Sequence, residues 1–432
     1  MRSTMPRLRG RSRQAPSTGL YSAVKAPRPA TKSGAPPGGP VRVETAALFA
    51  GIGGIELGLA EHGFSTTLFC EWDAAASAVL EERFPECARF HGDVRTLESI
   101  PRGVEFLTAG FPCQDLSQAG KTAGIEGARS GLVGEVFRLL RKRRVPRVLI
   151  ENVPFMLQLG RGRALDVIMN ALEELGYSWA YRVIDARAFG LPQRRERVYI
   201  LAALDEDPRD VLLSDDTGEP EGASWKPGRS FGFYWTEGIR GLGAAVEAIP
   251  TLKGGSTIGI PSAPAIVLPD GSVGTPDIRD AERLQGFPID WTLPAAATAR
   301  ASFRWKLVGN AVNVSAASWI GSKLVTPAPY DDSMDAALHH GASWPRAAWS
   351  RAGKRFTARV SAWPIRKRGL PIHEFLRYPL KPLSAKATAG FLSRARRGSL
   401  RFPPHFLATL DAHLRSVAGS AARPTRVRAR AS

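Results

Sequence analysis

Short apolar runs alternate with segments of helical spacing from Val41 to Ile200. Val41–Phe49, alternating and then continuous, predicts a first strand, and Ile55, Leu57, Leu59 and Ala60 follow at helical spacing. Ser65–Cys70 predicts a second strand, the stretch near Ala88–Phe90 a third, and Val104, Phe106 and Leu107 a fourth. Val133, Val136, Phe137 and Leu140 share one face of a helix over Val133–Arg144. A strand over Arg147–Ile150, a helix over Ala164–Leu175 and strands over Trp179–Asp185 and Gln193–Ile200 complete the series. Strands that alternate with helices predict an α/β fold, whose ligands lie at the carboxyl ends of its strands.

The predicted strand ends are where the chemistry collects. The first opens into Ala50-Gly51-Ile52-Gly53-Gly54, a turn that lets backbone N–H groups approach a ligand or simply supplies positive φ. The second ends in Glu71-Trp72-Asp73, with Glu71 about 20 residues on, suited to ribose hydroxyls, and Trp72 able to lie on an adenine. Asp73 also fits a helix N-cap. The third ends in Gly92-Asp93-Val94, a further carboxylate at the same edge. Three such tips together point to a nucleoside-type cofactor, and no Gly-Lys-Ser/Thr phosphate clamp accompanies them. The fourth leads to Gly110-Phe111-Pro112-Cys113-Gln114, where Pro112 holds the approach extended and Cys113 offers a nucleophile. Cys70 and Cys87 read as small buried hydrophobes. The fifth ends in Glu151-Asn152-Val153-Pro154, and strand alternation turns Arg195 and Arg197 to one face, away from Arg194 and Glu196, although a surface charge run explains the same letters.

Charge divides the chain. Its net charge is +19, yet residues 1–42 hold nine Lys/Arg and no acid, and residues 327–432 hold twenty Lys/Arg against five acids. Residues 43–326 are therefore slightly acidic, between two basic extensions suited to a polyanion such as a phosphate backbone. Met1–Pro40 reads as disordered, with an organellar transit peptide as a minor alternative. Three cysteines without a Cys-x-x-Cys pair exclude a disulfide framework or zinc finger and predict no metal site. No apolar run reaches the roughly 18 residues of a membrane helix.

Phe49-Ala50-Gly51-Ile52-Gly53-Gly54, Glu71-Trp72, Gly92-Asp93-Val94, Gly110-Phe111-Pro112-Cys113-Gln114, Glu151-Asn152-Val153 and Gln193-x-Arg195-x-Arg197 resemble the ordered motifs of the DNA cytosine-5 methyltransferases. Arg283-Leu284-Gln285-Gly286-Phe287-Pro288 and Gly309-Asn310-Ala311-Val312 continue the series, so the resemblance spans about residues 45–321. It implies a doubly wound, Rossmann-like sheet that binds S-adenosylmethionine. It places Phe49, Gly51 and Gly54 on the methionine side, Glu71 on the ribose, and Trp72 and Asp93 on the adenine. Leu132 and Asn310 close the pocket by position. The implied chemistry is addition of Cys113 to C6 of a flipped-out cytosine, with Glu151 at N3 and the 4-amino group. Arg195 is implied at O2 and Arg197 on the cysteine side, with residues 115–132 as a lid.

The expected organisation is a basic arm (1–42), a catalytic and cofactor domain (43–200), a small target-recognition region (201–275), a return to the catalytic domain (276–325) and a basic C-terminal extension (326–432). Aromatics between the basic clusters of that extension suit nucleic acid, although a packed unit with a solvated basic face explains the same letters. The expected partner is double-stranded DNA, with a cognate restriction endonuclease as a further candidate, in a monomeric protein of the bacterial cytoplasm and nucleoid. Two alternatives stay open. One is methylation of transfer RNA, against which the absence of a Cys-Phe-Thr insertion counts. The other is a non-catalytic DNA-binding regulator on the same fold, against which the retained Cys113, Glu151 and Arg195 count.

Overall fold

The computed structural model describes residues 42–112, 131–222, 224, 226–255, 263–339 and 341–421. The expected disordered arm, Cys113, nearly all of the 115–132 lid, Trp225 and the loose last dozen residues fall outside them.

Five strands are parallel: β1 (Val43–Leu48), β2 (Phe64–Cys70), β3 (Arg89–His91), β4 (Phe106–Ala109) and β5 (Arg147–Asn152), in the order β3-β2-β1-β4-β5. From β1 the chain winds outward to β2 and β3, then returns to place β4 on the other side of β1. The carboxyl tips of β1 and β4 are thus a topological switch point, where two loops diverge and leave a crevice. β6 (Ser178–Asp185), the two-residue β7 (Gln193–Arg194) and β8 (Glu196–Ala203) follow. β8 inserts antiparallel between β5 and β6. The strand expected over Gln193–Ile200 is broken at Arg195, and Glu151 lies within β5 rather than beyond it.

Helices cover both faces. α1 (Gly54–Ala60), α2 (Ala74–Arg83), α3 (Leu132–Lys142) and α4 (Arg163–Glu174) come from the first half. α5 (Ile278–Leu284), α6 (Arg304–Asn310) and α7 (Val314–Val325) come from the second. Val133, Val136, Phe137 and Leu140 of α3 are fully buried against Leu107, Ile150 and Val198, as their spacing predicts. On the other face α1 lies against α7 so closely that a Cβ at Gly58 would stand 2.6 Å from the Val314 carbonyl oxygen. Asp73 caps α2 by accepting from the N–H groups of Ala75 and Ala76, the structural role its position allowed.

A second sheet is built from β9 (Phe231–Phe233), β10 (Ala244–Val246), β12 (Ala265–Val267) and β13 (Val273–Thr275), while β11 (Ile249–Pro250) pairs with β7. The C-terminal residues divide between the two sheets. β14 (Ala336–Ala337), β15 (Ala347–Arg351) and β16 (Lys354–Thr357) extend the central sheet through antiparallel pairing of β15 with β6. β17 (Lys381–Pro382) joins β13, and α8 (Ala385–Arg397) and α9 (Pro404–Ala421) cover the small sheet. Phe231 and Phe233 share one buried cluster with Phe391, Phe402 and Phe406. The C-terminal residues are thus built into both sheets, the packed alternative that the sequence left open for their aromatics. Trp349, Trp363, Phe391 and Phe406 are buried, so the aromatics of 326–421 serve packing rather than a stacking surface. Burying a ring of that size stabilises by about 1.5–3 kcal/mol, which outweighs leaving it in water.

Candidate active site

The β1 tip is shaped by three residues of positive φ: Phe49 at 55°, Gly51 at 57° and Gly53 at 77°. At Phe49 this left-handed backbone stores on the order of 1–3 kcal/mol, a cost met most often at ligand sites. Its ring meets Phe111, on the neighbouring loop, edge to face at 6.2 Å. Gly54 has a packing role, since a Cβ there would come within 2.7 Å of the Val312 carbonyl oxygen. Gly51 has open space at that position. The result is a pocket lined by Phe49, Gly51, Gly54, Glu56, Glu151 and Asn310, among others. Asn310 ends α6, so residues 260 apart in sequence face the same space.

Toward β2 and β3, Glu71, Trp72 and Asp93 lie together. Glu71 accepts from the N–H of Gly51 at 2.7 Å and of Asp73 at 2.8 Å, one per carboxylate oxygen. Burial raises its pKa, offset by those two bonds. Trp72 is 70% exposed, unusual for so large an apolar ring. The Arg95 guanidinium lies 5.2 Å from its centroid and forks onto Asp93 at 2.8–3.0 Å. That fork holds the Asp93 carboxyl below its ordinary range. Leu132, at the start of α3, is half-buried and packs with Phe49 against the same core cluster.

Toward β5 and β8 the site is charged and buried. Glu151 is 7% exposed, and its carboxylate takes an ion pair from Arg197 Nε at 2.9 Å. Burial raises the Glu151 pKa, opposed by Arg197 and Arg195. Arg195 is also buried, but its four terminal N–H bonds go to the carbonyls of Leu252, Gly309 and Ala311. Burial, with Arg197 alongside, pushes its pKa down. Only Arg195 Nε, buried and without a hydrogen-bond partner among the described residues, remains for a further acceptor. Arg195 is thus first a clamp that ties the inserted region and the late loop to β8. Gln193 works the same way, donating to the Leu284 carbonyl and to Gln285 Oε1 and accepting from the Leu252 N–H. Asn152 Nδ2 donates to the Phe111 carbonyl at 3.0 Å, fixing the loop two residues ahead of Cys113, which itself lies outside the described residues.

Sequence reasoning passed over Glu56 and Tyr199. Glu56, 3% exposed, accepts from Thr108 Oγ1 at 2.6 Å, and burial pushes its pKa up to about 7. Tyr199 pairs across the sheet with Glu151, and its buried hydroxyl has no hydrogen-bond partner among the described residues. Burial, with Glu151 adding to it, raises its pKa. The available signal was weak: an acid in the first turn after the glycine turn, and a tyrosine inside an apolar strand. Among the described residues no His, Cys, Asp and Glu cluster could hold a metal ion, and no helix is long and apolar enough to cross a membrane.

The profile described as C-5 cytosine-specific DNA methylase matches residues 43–224. The chain is 48% identical over 383 residues to Type II methyltransferase M2.BsuMI of Bacillus subtilis strain 168, covering 85% of this chain and 97% of that protein. It is 31% identical over 306 residues to Type II methyltransferase M.BsuFI of Bacillus subtilis, covering 62% and 68% respectively. A Spodoptera frugiperda DNMT2 mutant structure aligns at a TM-score of 0.45 and 16% identity, over 65% of this chain and 98% of that one.

Proposed function

Because this chain belongs to the C-5 cytosine-specific DNA methylases, we propose that its strand-tip pocket holds S-adenosylmethionine beside a cytosine turned out of the duplex. The observation that carries this reading is Glu151: a buried, protonatable carboxyl, paired with Arg197, that lines the same pocket as the glycine turn. The residues present fit such a donor. Phe49, Gly51, Gly54 and Asn310 would hold its methionine side, Glu71 its ribose, and Trp72 and Asp93 its adenine, with Leu132 at the edge. When bound, the donor supplies an electrophilic methyl group on a sulfonium.

The chain's own residues do the rest. Cytosine C5 is a weak nucleophile until a group adds at C6. Cys113, as thiolate, forms the S–C6 bond while the C5–C6 electron pair moves into the ring. Glu151 supports this step by giving or sharing a proton at N3 as negative charge develops. Arg197 keeps Glu151 oriented, and Arg195 Nε is the donor left for O2. After C5 is methylated, loss of the C5 proton restores the double bond and expels the Cys113 thiolate. None of this fits inside a stacked duplex, so extrusion of the base precedes it.

The small sheet, with β17, α8 and α9, is proposed as the target-recognition unit, reading a short site. The name Type II methyltransferase carried by relatives supports a modification role beside a cognate endonuclease. The test is transfer of label from tritiated S-adenosylmethionine to mixed-sequence duplex DNA, with Cys113→Ser and transfer RNA as controls. Label in DNA as 5-methylcytosine, absent from the variant, is expected. Label in RNA alone, or undiminished label with the variant, overturns the substrate or the nucleophile respectively.

A further inference from the structure

Two carboxyls line the pocket, and they are treated differently by the protein. Glu151 is met by Arg197 at 2.9 Å. Glu56, nine-tenths and more buried, has one side-chain hydrogen bond among the described residues, from the neutral hydroxyl of Thr108. The charged and titratable groups around it are engaged elsewhere. Just past the end of α1, Glu61 accepts from the Ser318 hydroxyl and His62 lies in hydrogen-bond contact with it. On α7, Lys323 pairs with Asp215. Arg195, at the break before β8, holds backbone carbonyls; on β8 Arg197 holds Glu151 and Tyr199 carries no charge; at the β2 tip Glu71 is bonded to Gly51 and Asp73. A buried carboxylate without a cation is costly, and among the described residues none supplies Glu56 with one.

We infer that Glu56 is the counter-ion of the cationic end of the methyl donor, recognising its sulfonium or its α-ammonium. This rests on the donor reading above. Burial pushes the Glu56 carboxyl up to about 7, opposed by its hydrogen bond from Thr108. Pairing with a cation stabilises the carboxylate, so donor binding expels a proton, and affinity falls as pH drops below 7. Such a residue distinguishes charged donor from uncharged relatives, which hydroxyls and backbone amides do poorly.

The test is calorimetric binding by the whole protein in two buffers of different ionisation enthalpy, comparing wild type with Glu56→Gln. Glutamine keeps the Thr108 bond and the volume, and a melting curve verifies folding. At pH 7 the wild type is expected to release about half a proton more than the variant on binding S-adenosylmethionine. The variant should bind it roughly tenfold more weakly. Methylthioadenosine, which carries neither cation, should bind both proteins alike.

Sinefungin and S-adenosylhomocysteine separate the two cations. If both are weakened in the variant, the partner is the α-ammonium; if sinefungin alone is, it is the sulfonium position. Thr108→Val removes the hydrogen bond that favours the ionised form. It should move the acid limb of donor affinity to higher pH, a change that a packing role would not produce. Equal weakening of all four ligands, or unchanged proton release in Glu56→Gln, overturns the assignment. If the wild type binds none of them, the donor reading fails first and the assignment with it.

Discussion

Asn152 and Phe111 join two strand tips: the Asn152 side-chain N–H donates to the Phe111 carbonyl at 3.0 Å, both residues being buried. Asn152 follows Glu151 on β5, and Phe111 precedes Pro112 and Cys113. One hydrogen bond therefore sets the register between the strand of the proposed acid and the approach to the proposed nucleophile.

Asn152→Ala should lower kcat by roughly tenfold to a hundredfold, with a smaller effect on donor binding. It should also cost about 1–3 kcal/mol of stability, because the Phe111 carbonyl is left buried without a donor. Single-turnover kinetics and a denaturant titration measure the two effects. An unchanged single-turnover rate would show that the loop holds its position without this bond.

The proposed acid works protonated, and the Glu151 pKa is raised by burial. Its protonated fraction, and with it the rate of the chemical step, should therefore fall as pH rises through that value. Arg197 holds the value down, so Arg197→Leu should move the alkaline limb to higher pH while slowing the reaction. Glu151→Gln should be slow and lack that limb. A pH–rate profile in single turnover reads both, and a limb retained by Glu151→Gln assigns it to another group.

Arg195→Lys should destabilise the protein by about 3–5 kcal/mol, although charge is conserved. One ammonium cannot replace the guanidinium fork on the carbonyls of Leu252, Gly309 and Ala311. Chemical denaturation measures the loss. If Arg195→Lys is as stable as wild type and only its catalysis suffers, the clamp matters less than contact with the base.

Phe406→Ala removes a ring 1% exposed that packs edge to face on Phe233 at 5.4 Å. It should destabilise by about 3–5 kcal/mol. In a variant still folded at 20 °C, specific DNA binding should weaken while donor binding stays within a factor of two. The paired binding measurements test whether the C-terminal helices serve the small sheet; equal loss of both would place their effect on the whole chain.

The strand tips were legible because each is a local signal. Glycines at Gly51 and Gly53, a proline before Cys113 and acids at the ends of apolar runs are consequences of backbone geometry within a few residues. Arg195 was also marked by alternation, but what its donors reach was not, because Leu252, Gly309 and Ala311 lie 57 to 116 residues away. The tail stayed ambiguous for the same reason: aromatics between arginines look alike whether the rings face solvent or a sheet contributed by residues 231–275.

By itself the sequence determined the order of strands and helices, the glycine turn, and the carboxylates and arginines set at successive strand ends, all of which follow from residue type and short-range spacing. Only the tertiary structure decided which of those groups are charged, paired or still lacking a partner. Burial and the approach of distant backbone are what leave Arg195 gripping carbonyls, Glu151 matched by Arg197, and Glu56, among the described residues, with the hydroxyl of Thr108 as its side-chain partner.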